Sequence, residues 1–197
     1  PGVSLVLGND HKFAVAKFVR NLKKTARVPE AAIQIDRLTG LPPALLDGFE
    51  SRSRAFVQVQ QGCDQSCTFC VIHRARGPSR SFDEAHILRQ IRNFVSAGFS
   101  EVVICGVDLG SYESPGTEDE SRLALASLLK KIADLPGAFR IRLSSVDPVH
   151  LTDDLLAVLS DPERFCPYLH VSIQSGSTLI LKRMKRRYDR EFLIDRL

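Results

Sequence analysis

Apolar residues along the chain switch repeatedly between a period of two and one near 3.6, the mark of strands alternating with helices. At the start, "VSLVLG" is a short apolar run, and "DHKFAVAKFVRNL" carries Phe13, Ala16, Val19 and Ala14, Phe18, Leu22 at helical spacing. "AAIQI" reads as a second strand. Gly40, Pro42, Pro43 and Gly48 then crowd together, which is linker chemistry. The pattern therefore divides the chain into residues 1–36, a linker over 37–53 and a larger unit over 54–197.

In the larger unit "FVQVQ" alternates apolar and polar. Ser81 and Glu84 have capping-box spacing, and Ile87, Leu88, Ile91, Phe94 and Val95 form one helical stripe ending at Gly98. "EVVIC" is a buried-type strand, residues 113–120 an acidic loop, and "SRLALASLLKKIADL" a helix. "FRIRLS" alternates strictly, Thr152 stands where it can cap a helix running to Leu159, and "YLHVSIQSG" alternates again before a basic helix. Four strand-helix units in succession imply α/β architecture, with parallel strands and right-handed crossovers. Leu169, Val171 and Ile173 oppose His170, Ser172 and Gln174, just as Phe139, Ile141 and Leu143 oppose Arg140, Arg142 and Ser144. Helices cover the apolar face of such strands, so the polar face is expected to line an interior chamber. The alternative is a sheet with one solvated face.

Composition adds little to this. The 197 residues are 44% hydrophobic and 25% charged, ordinary for a globular protein with a real core. No apolar run is long enough to span a bilayer, and the start carries no signal-peptide pattern, so no membrane partner is expected. Pro1 at one end and the helical "REFLIDRL" at the other suggest an excised segment. The net charge of +4 is modest, but its distribution is uneven. Arg74, Arg76 and Arg80 follow one another with no acid among them, and Lys182, Arg183, Lys185, Arg186 and Arg187 cluster near the end. Such clusters can contact phosphates, although the second also suits a solvated helix face.

The chemistry lies in "CDQSCTFC". Cys63, Cys67 and Cys70 are spaced C-x3-C-x2-C. Three of five cysteines packed this tightly do not form a disulfide framework, and point to a metal site in a reducing, cytoplasmic compartment. Two readings compete. His73 would complete a structural zinc site. Without it, three thiolates would hold three irons of a [4Fe–4S] cluster and leave the fourth iron open. The motif follows the first strand of the series, where barrel enzymes build active sites, which favours the second reading.

This stretch resembles the radical S-adenosylmethionine (SAM) superfamily. There the three cysteines bind a [4Fe–4S] cluster, SAM chelates the open iron, and one electron cleaves SAM to a 5′-deoxyadenosyl radical. "RAFVQVQQGCDQSCTFCVIHRARGPSRS", "VVICGVDLGSY", "RIRLSSVDP" and "LHVSIQSGSTLILKRMKRRY" resemble, in order, blocks of the methylthiotransferases. "ARGPSRS" and "GVDLGSY" are most similar to the branch acting on N6-threonylcarbamoyladenosine at tRNA position 37. Sister branches act on isopentenyladenosine in tRNA or on a ribosomal-protein aspartate.

The resemblance implies a partial parallel (β/α) barrel of the radical SAM type, truncated at its C-terminal end. The tail of a flavodoxin-like α/β domain, with "VLGNDHK" as its recognisable piece, would precede it. It implies Cys63, Cys67 and Cys70 as cluster ligands, Phe69 at the adenine of SAM, and Gly106 near its methionine end. Ser144, Ser145 and Gln174 would line the chamber. Arg74, Arg76 and Arg80 would guide the tRNA anticodon stem-loop, and an external electron donor would reduce the cluster. The chain departs from the family in three ways. "IHRARG" stands in place of "IPYARG", so His73 and Arg74 replace Pro and Tyr. No cysteine precedes Cys63, although the family holds a second cluster on its N-terminal domain. The last barrel units and the RNA-binding TRAM domain are missing. The 197-residue chain is therefore expected to bind a cluster but not to transfer sulfur. A zinc-stabilised RNA-binding module, or an inert fragment with open sheet edges, are the readings of another class.

Overall fold

The computed structural model describes residues 3, 5–9, 11, 14–21, 30–32, 45–46, 48, 52–113 and 124–197. The first elements are β1 (Leu5–Leu7), α1 (Val15–Asn21) and β2 (Glu30–Ala32). Leu5 lies opposite Glu30 in a parallel pair, so the expected strand-helix-strand opening is present. The 37–53 linker lies mostly outside the described residues. One described part of it is anchored: the Leu46 N–H donates to Gln90 Oε1 (2.7 Å), and Gln90 Nε2 donates back to the Leu46 carbonyl (2.8 Å).

The larger unit begins with β3 (Ala55–Gln58) and β4 (Gln60–Gln61), followed by α2 (Ile72–Arg76) and β5 (Arg80–Ser81). Then come α3 (Glu84–Ser96), β6 (Glu101–Cys105), α4 (Leu125–Ala133) and β7 (Arg140–Leu143). The chain ends through β8 (Ser145–Val146), α5 (Asp153–Leu159), β9 (His170–Val171), α6 (Thr178–Arg183) and α7 (Arg190–Arg196). Strands β3, β6 and β7 form a parallel sheet in that order, with Ala55 opposite Val102 and Val102 opposite Ile141. β8 and β9 pair in parallel too, Ser145 opposite His170. Bonds from the Ser144 N–H to the Ile104 carbonyl (2.9 Å) and from the Cys166 N–H to the Ile141 carbonyl (2.9 Å) carry the sheet across the break between β7 and β8. This is the open, partial barrel that the sequence led one to expect.

Burial follows the helical and strand periods. Ile87, Ile91 and Phe94 on α3 and Leu128, Leu129 and Ile132 on α4 are fully buried against Ala55, Val102, Ile104 and Ile141. Val103 is buried as well, so the middle of β6 is covered on both faces, as a parallel strand should be. The cap of α3 differs from the sequence reading. Asp83, not Ser81, accepts from the His86 N–H (3.0 Å). Ser81 belongs to β5, and its hydroxyl accepts from the Glu113 N–H (2.9 Å). Thr152 does cap α5, accepting from the Leu155 N–H.

The polar faces of the strands also need correction. Arg142 pairs sideways with Glu101 (2.6 Å) and lies over the Tyr168 ring, and Arg140 is exposed. The Arg142 charge is thus met by Glu101 of the neighbouring β6, and Arg140 faces solvent. Of the polar positions expected to line the chamber, Ser172 and Gln174 do so, joined by Ser145 of β8 and by Asp108 and Asp147 after the strand ends, while Arg140 and Arg142 do not. Among the described residues no helix is long and apolar enough to cross a membrane.

Candidate metal centre

The loop that holds the three cysteines is pinched at its base. β4 and β5 pair antiparallel, Gln60 opposite Ser81 and Gln61 opposite Arg80, so residues 62–79 leave and return through one narrow neck. Gly62 sits at the neck with φ 77°, and a Cβ there would collide with the Pro78 carbonyl oxygen. Only glycine combines that left-handed backbone with that approach. The Cys63 N–H donates to the Gly77 carbonyl (3.1 Å), and Asp64 accepts from the Ser79 N–H (2.9 Å), closing the neck from the other strand.

Gln60 ties this neck to the loop after β6. Its side chain is fully buried. Its Oε1 accepts from the Val107 and Asp108 N–H groups (both 2.8 Å), and its Nε2 donates to the Gly62 carbonyl and Ser79 Oγ (both 2.9 Å). A buried amide with its bonds made fixes two loops relative to each other, because breaking it would strand several desolvated groups.

Cys63, Cys67 and Cys70 line one cavity at the C-terminal ends of the parallel strands. Phe69, Val107, Asp108, Ser145, Asp147, Ser172, Gln174 and Arg186 complete much of the wall. Burial is the main influence raising the Cys63 thiol above its ordinary pKa; the Gln65 N–H opposes it. Cys67 is 8% exposed and sits against Arg186, whose Nη1 donates to Cys67 Sγ (3.4 Å). Asp108 is nearly buried. Burial pushes its carboxyl up, but bonds from His150 and Ser111, with the charge of Arg187, outweigh this and hold it below the usual range. Among the described residues no group of three or more His, Cys, Asp or Glu side chains converges on a single ion position.

His73 is not part of this cavity. With Arg74 and Lys185 it lines a second depression bordered by Ser66–Val71. The other expected site residues divide. Phe69, Ser145 and Gln174 line the cavity, and Gln174 takes a left-handed backbone (φ 63°) to do so. Gly106 and Ser144 do not line it. A Cβ on Gly106 would meet Leu109 Cα at 2.8 Å and Gln60 Oε1 at 3.1 Å, so the close approach that requires glycine is to the Leu109 backbone, with Gln60 next to it. Ser144 falls at the break between β7 and β8, its hydroxyl buried and unpartnered.

Of the three arginines, Arg74 is exposed. Arg76 donates to Asn9 Oδ1 (3.2 Å). Arg80 turns back on its own loop, donating to the Arg76 carbonyl (2.7 Å) and the Pro78 carbonyl (3.2 Å), and burial lowers its pKa. Arg80 is therefore a brace of the cysteine loop and is not presented to an RNA backbone.

The residues missed in sequence are Gln60, Asp108, Asp147 and Arg186. Asp147 and Arg186 form a buried ion pair, their side chains 12% and 8% exposed. Arg186 also donates to Tyr188 Oη (3.0 Å) and the Ser172 carbonyl (3.3 Å). Arg186 looked like one charge in a basic run. What separates it in the structure is Lys185, whose left-handed backbone (φ 57°) turns the chain so that Lys185 stays exposed and Arg186 enters the wall; the sequence carries no signal for this.

A family profile described as the Radical SAM superfamily matches residues 57–197. The chain belongs to that superfamily. Among curated relatives, a threonylcarbamoyladenosine tRNA methylthiotransferase MtaB from Rickettsia prowazekii is 38% identical over 98% of this chain and 44% of its own length. The MtaB of Bacillus subtilis is 33% identical over 100% of this chain and 43% of its own length. A tRNA-2-methylthio-N(6)-dimethylallyladenosine synthase of Clostridium perfringens is 31% identical over 99% of this chain and 42% of its own length. The chain thus spans less than half the length of these relatives. In fold it is similar to the radical SAM methyltransferase TsrM of Kitasatospora setae, with TM-score 0.57 and 14% identity over 73% of this chain and 27% of that one.

Proposed function

We propose that this chain is the central portion of a radical SAM tRNA methylthiotransferase of the type that modifies C2 of N6-threonylcarbamoyladenosine at tRNA position 37. Residues 54–197 are its SAM-cleaving core, residues 1–36 the end of an N-terminal domain, and 37–53 the connection. The observation that carries this is the loop of three thiols on one cavity wall, opposite polar residues from three strand ends. The identity to two threonylcarbamoyladenosine methylthiotransferases supports the substrate.

In this reading Cys63, Cys67 and Cys70 hold a [4Fe–4S] cluster, and SAM occupies the rest of the cavity beside Phe69, Ser145 and Gln174. When bound, the cluster supplies one electron, drawn from an external donor, for reductive cleavage of SAM. The protein's part is placement. The glycine-pinched neck sets the sulfur positions, Gln60 holds the β6 loop against them, and Asp147 with Arg186 closes the wall. Arg74 and Lys185, exposed beside the loop, are suited to the phosphates of an anticodon stem-loop.

The test is iron, sulfide and zinc content after anaerobic reconstitution, with Cys63→Ala alongside. Four irons and four sulfides per chain, lost in the variant, support the reading. Stoichiometric zinc without sulfide overturns it. With a cluster in place, nucleoside analysis of tRNA treated with the full-length enzyme decides the substrate. A methylthio product on isopentenyladenosine alone would move the chain to the sister branch. The 197-residue chain, which spans less than half the length of the relatives it matches, should give no product by itself.

A further inference from the structure

We infer that Arg186 is a positioning residue that raises the reduction potential of the cluster through its hydrogen bond to the Cys67 sulfur. The inference rests on the cluster reading above. Of the bonds made by this side chain, one is to a cluster sulfur: Nη1 to Cys67 Sγ at 3.4 Å. The others hold the guanidinium still. Nη2 pairs with Asp147 and donates to the Ser172 carbonyl, and Nε donates to Tyr188 Oη (3.0 Å). Tyr188 Oη in turn donates to the Ser172 and Ile173 carbonyls (2.9 and 3.0 Å), so its position is set by β9 and the residues after it. The guanidinium carbon stands 5.0 Å from the Tyr188 ring centroid. A side chain 8% exposed with this many fixed partners has one orientation.

Its partner sulfur belongs to Cys67, a buried cysteine. Because that sulfur is buried, an N–H aimed at it is screened less than it would be in water. One-electron reduction places added negative charge on the cluster and its sulfurs. A donor to a cysteinyl sulfur stabilises that reduced form, and hydrogen bonds to sulfur are among the factors that set cluster potentials. The ion pair with Asp147 cancels much of the arginine's net charge, so the effect lies in the directed N–H. Lysine keeps the charge and can still pair with Asp147. It lacks the planar fork that reaches sulfur, carboxylate and hydroxyl together.

The experiment is a spectroelectrochemical titration of the reconstituted full chain, following the reduced cluster by electron paramagnetic resonance. Wild type is compared with Arg186→Lys and Arg186→Gln at equal iron content. Both variants should be harder to reduce, by about tenfold in the reduction equilibrium, or about 59 mV for one electron. Tyr188→Phe keeps the ring beneath the guanidinium but frees Nε. It should shift the potential the same way by less, and it decides the matter if the Arg186 variants do not load. Unchanged potentials in loaded variants overturn the inference and leave the cluster reading intact. A wild-type chain that takes up no iron and sulfide overturns the cluster reading itself, and this inference with it.

Discussion

The sheet and the cysteine loop are built on opposite principles. Around β6 the contacts are aliphatic and aromatic: Ile87, Ile91, Phe94, Leu128 and Ile132 fill space without direction. Around Cys67 they are directional: Gln60, Asp147, Arg186 and Tyr188 each meet named partners at hydrogen-bond distance. A packed core tolerates volume-conserving apolar swaps, while a buried polar network fails when one member is lost. The sheet should therefore govern whether the chain folds, and the loop whether the folded chain carries metal.

The largest effect expected from breaking this division is at Phe94. Phe94→Ala should cost about 3–5 kcal/mol in urea unfolding, as large core deletions do. Iron bound per folded molecule should be unchanged, and a proportionate loss of iron would erase the distinction. Gly62→Ala is the converse case. Left-handed strain of about 1–3 kcal/mol should lower stability less than Phe94→Ala does. Iron loading should nevertheless collapse, because the neck cannot close past the Pro78 carbonyl. A loaded Gly62→Ala protein would show that the neck does not set the sulfurs.

The cap of α3 sharpens the picture on the sheet side. Asp83→Ala should cost about 1 kcal/mol, read as a lower Tm. Ser81→Ala should be felt at the Glu113 contact but not in the helix.

His86 gives the smallest effect. It is buried on α3, and burial first, with Arg89 adding to it and Asp83 partly opposing, lowers its pKa below the ordinary 6.5. Below pH 6.5 the unfolded chain takes up this proton before the folded one does. Stability from this residue should thus decline as pH falls from 7 towards 5. His86→Gln should flatten that slope in melts across the range.

What was legible in the sequence follows the same line. Pattern and burial agree for Ile87, Ile91 and Phe94 and for Val102–Ile104 in the middle of "EVVIC", because non-directional packing leaves its trace in the run of apolar positions. That Cys63, Cys67 and Cys70 belong together was legible because their spacing is local. Gln60, Asp147 and Arg186 were not, since each acts through partners far along the chain and none breaks a local pattern. The Ser81 reading failed for a related reason. Ser81 has capping-box spacing but is claimed by β5, and Asp83 stands one residue before the helix. Gly106 stands out in sequence as a turn glycine after a strand, and the neighbours that its Cβ would meet, Leu109 and Gln60, lie outside any local pattern.

The left-handed residue at Lys185 makes neighbouring basic residues into different kinds of part. Lys185 is addressed to the outside and Arg186 to the inside, although both bear the same charge. The basic run is therefore read by register and not by total charge. Adding or removing a single residue between Leu181 and Tyr188 would leave the composition almost untouched and exchange the two addresses. A charge-neutralising scan of this run should accordingly separate into two unrelated phenotypes, with no gradient between them.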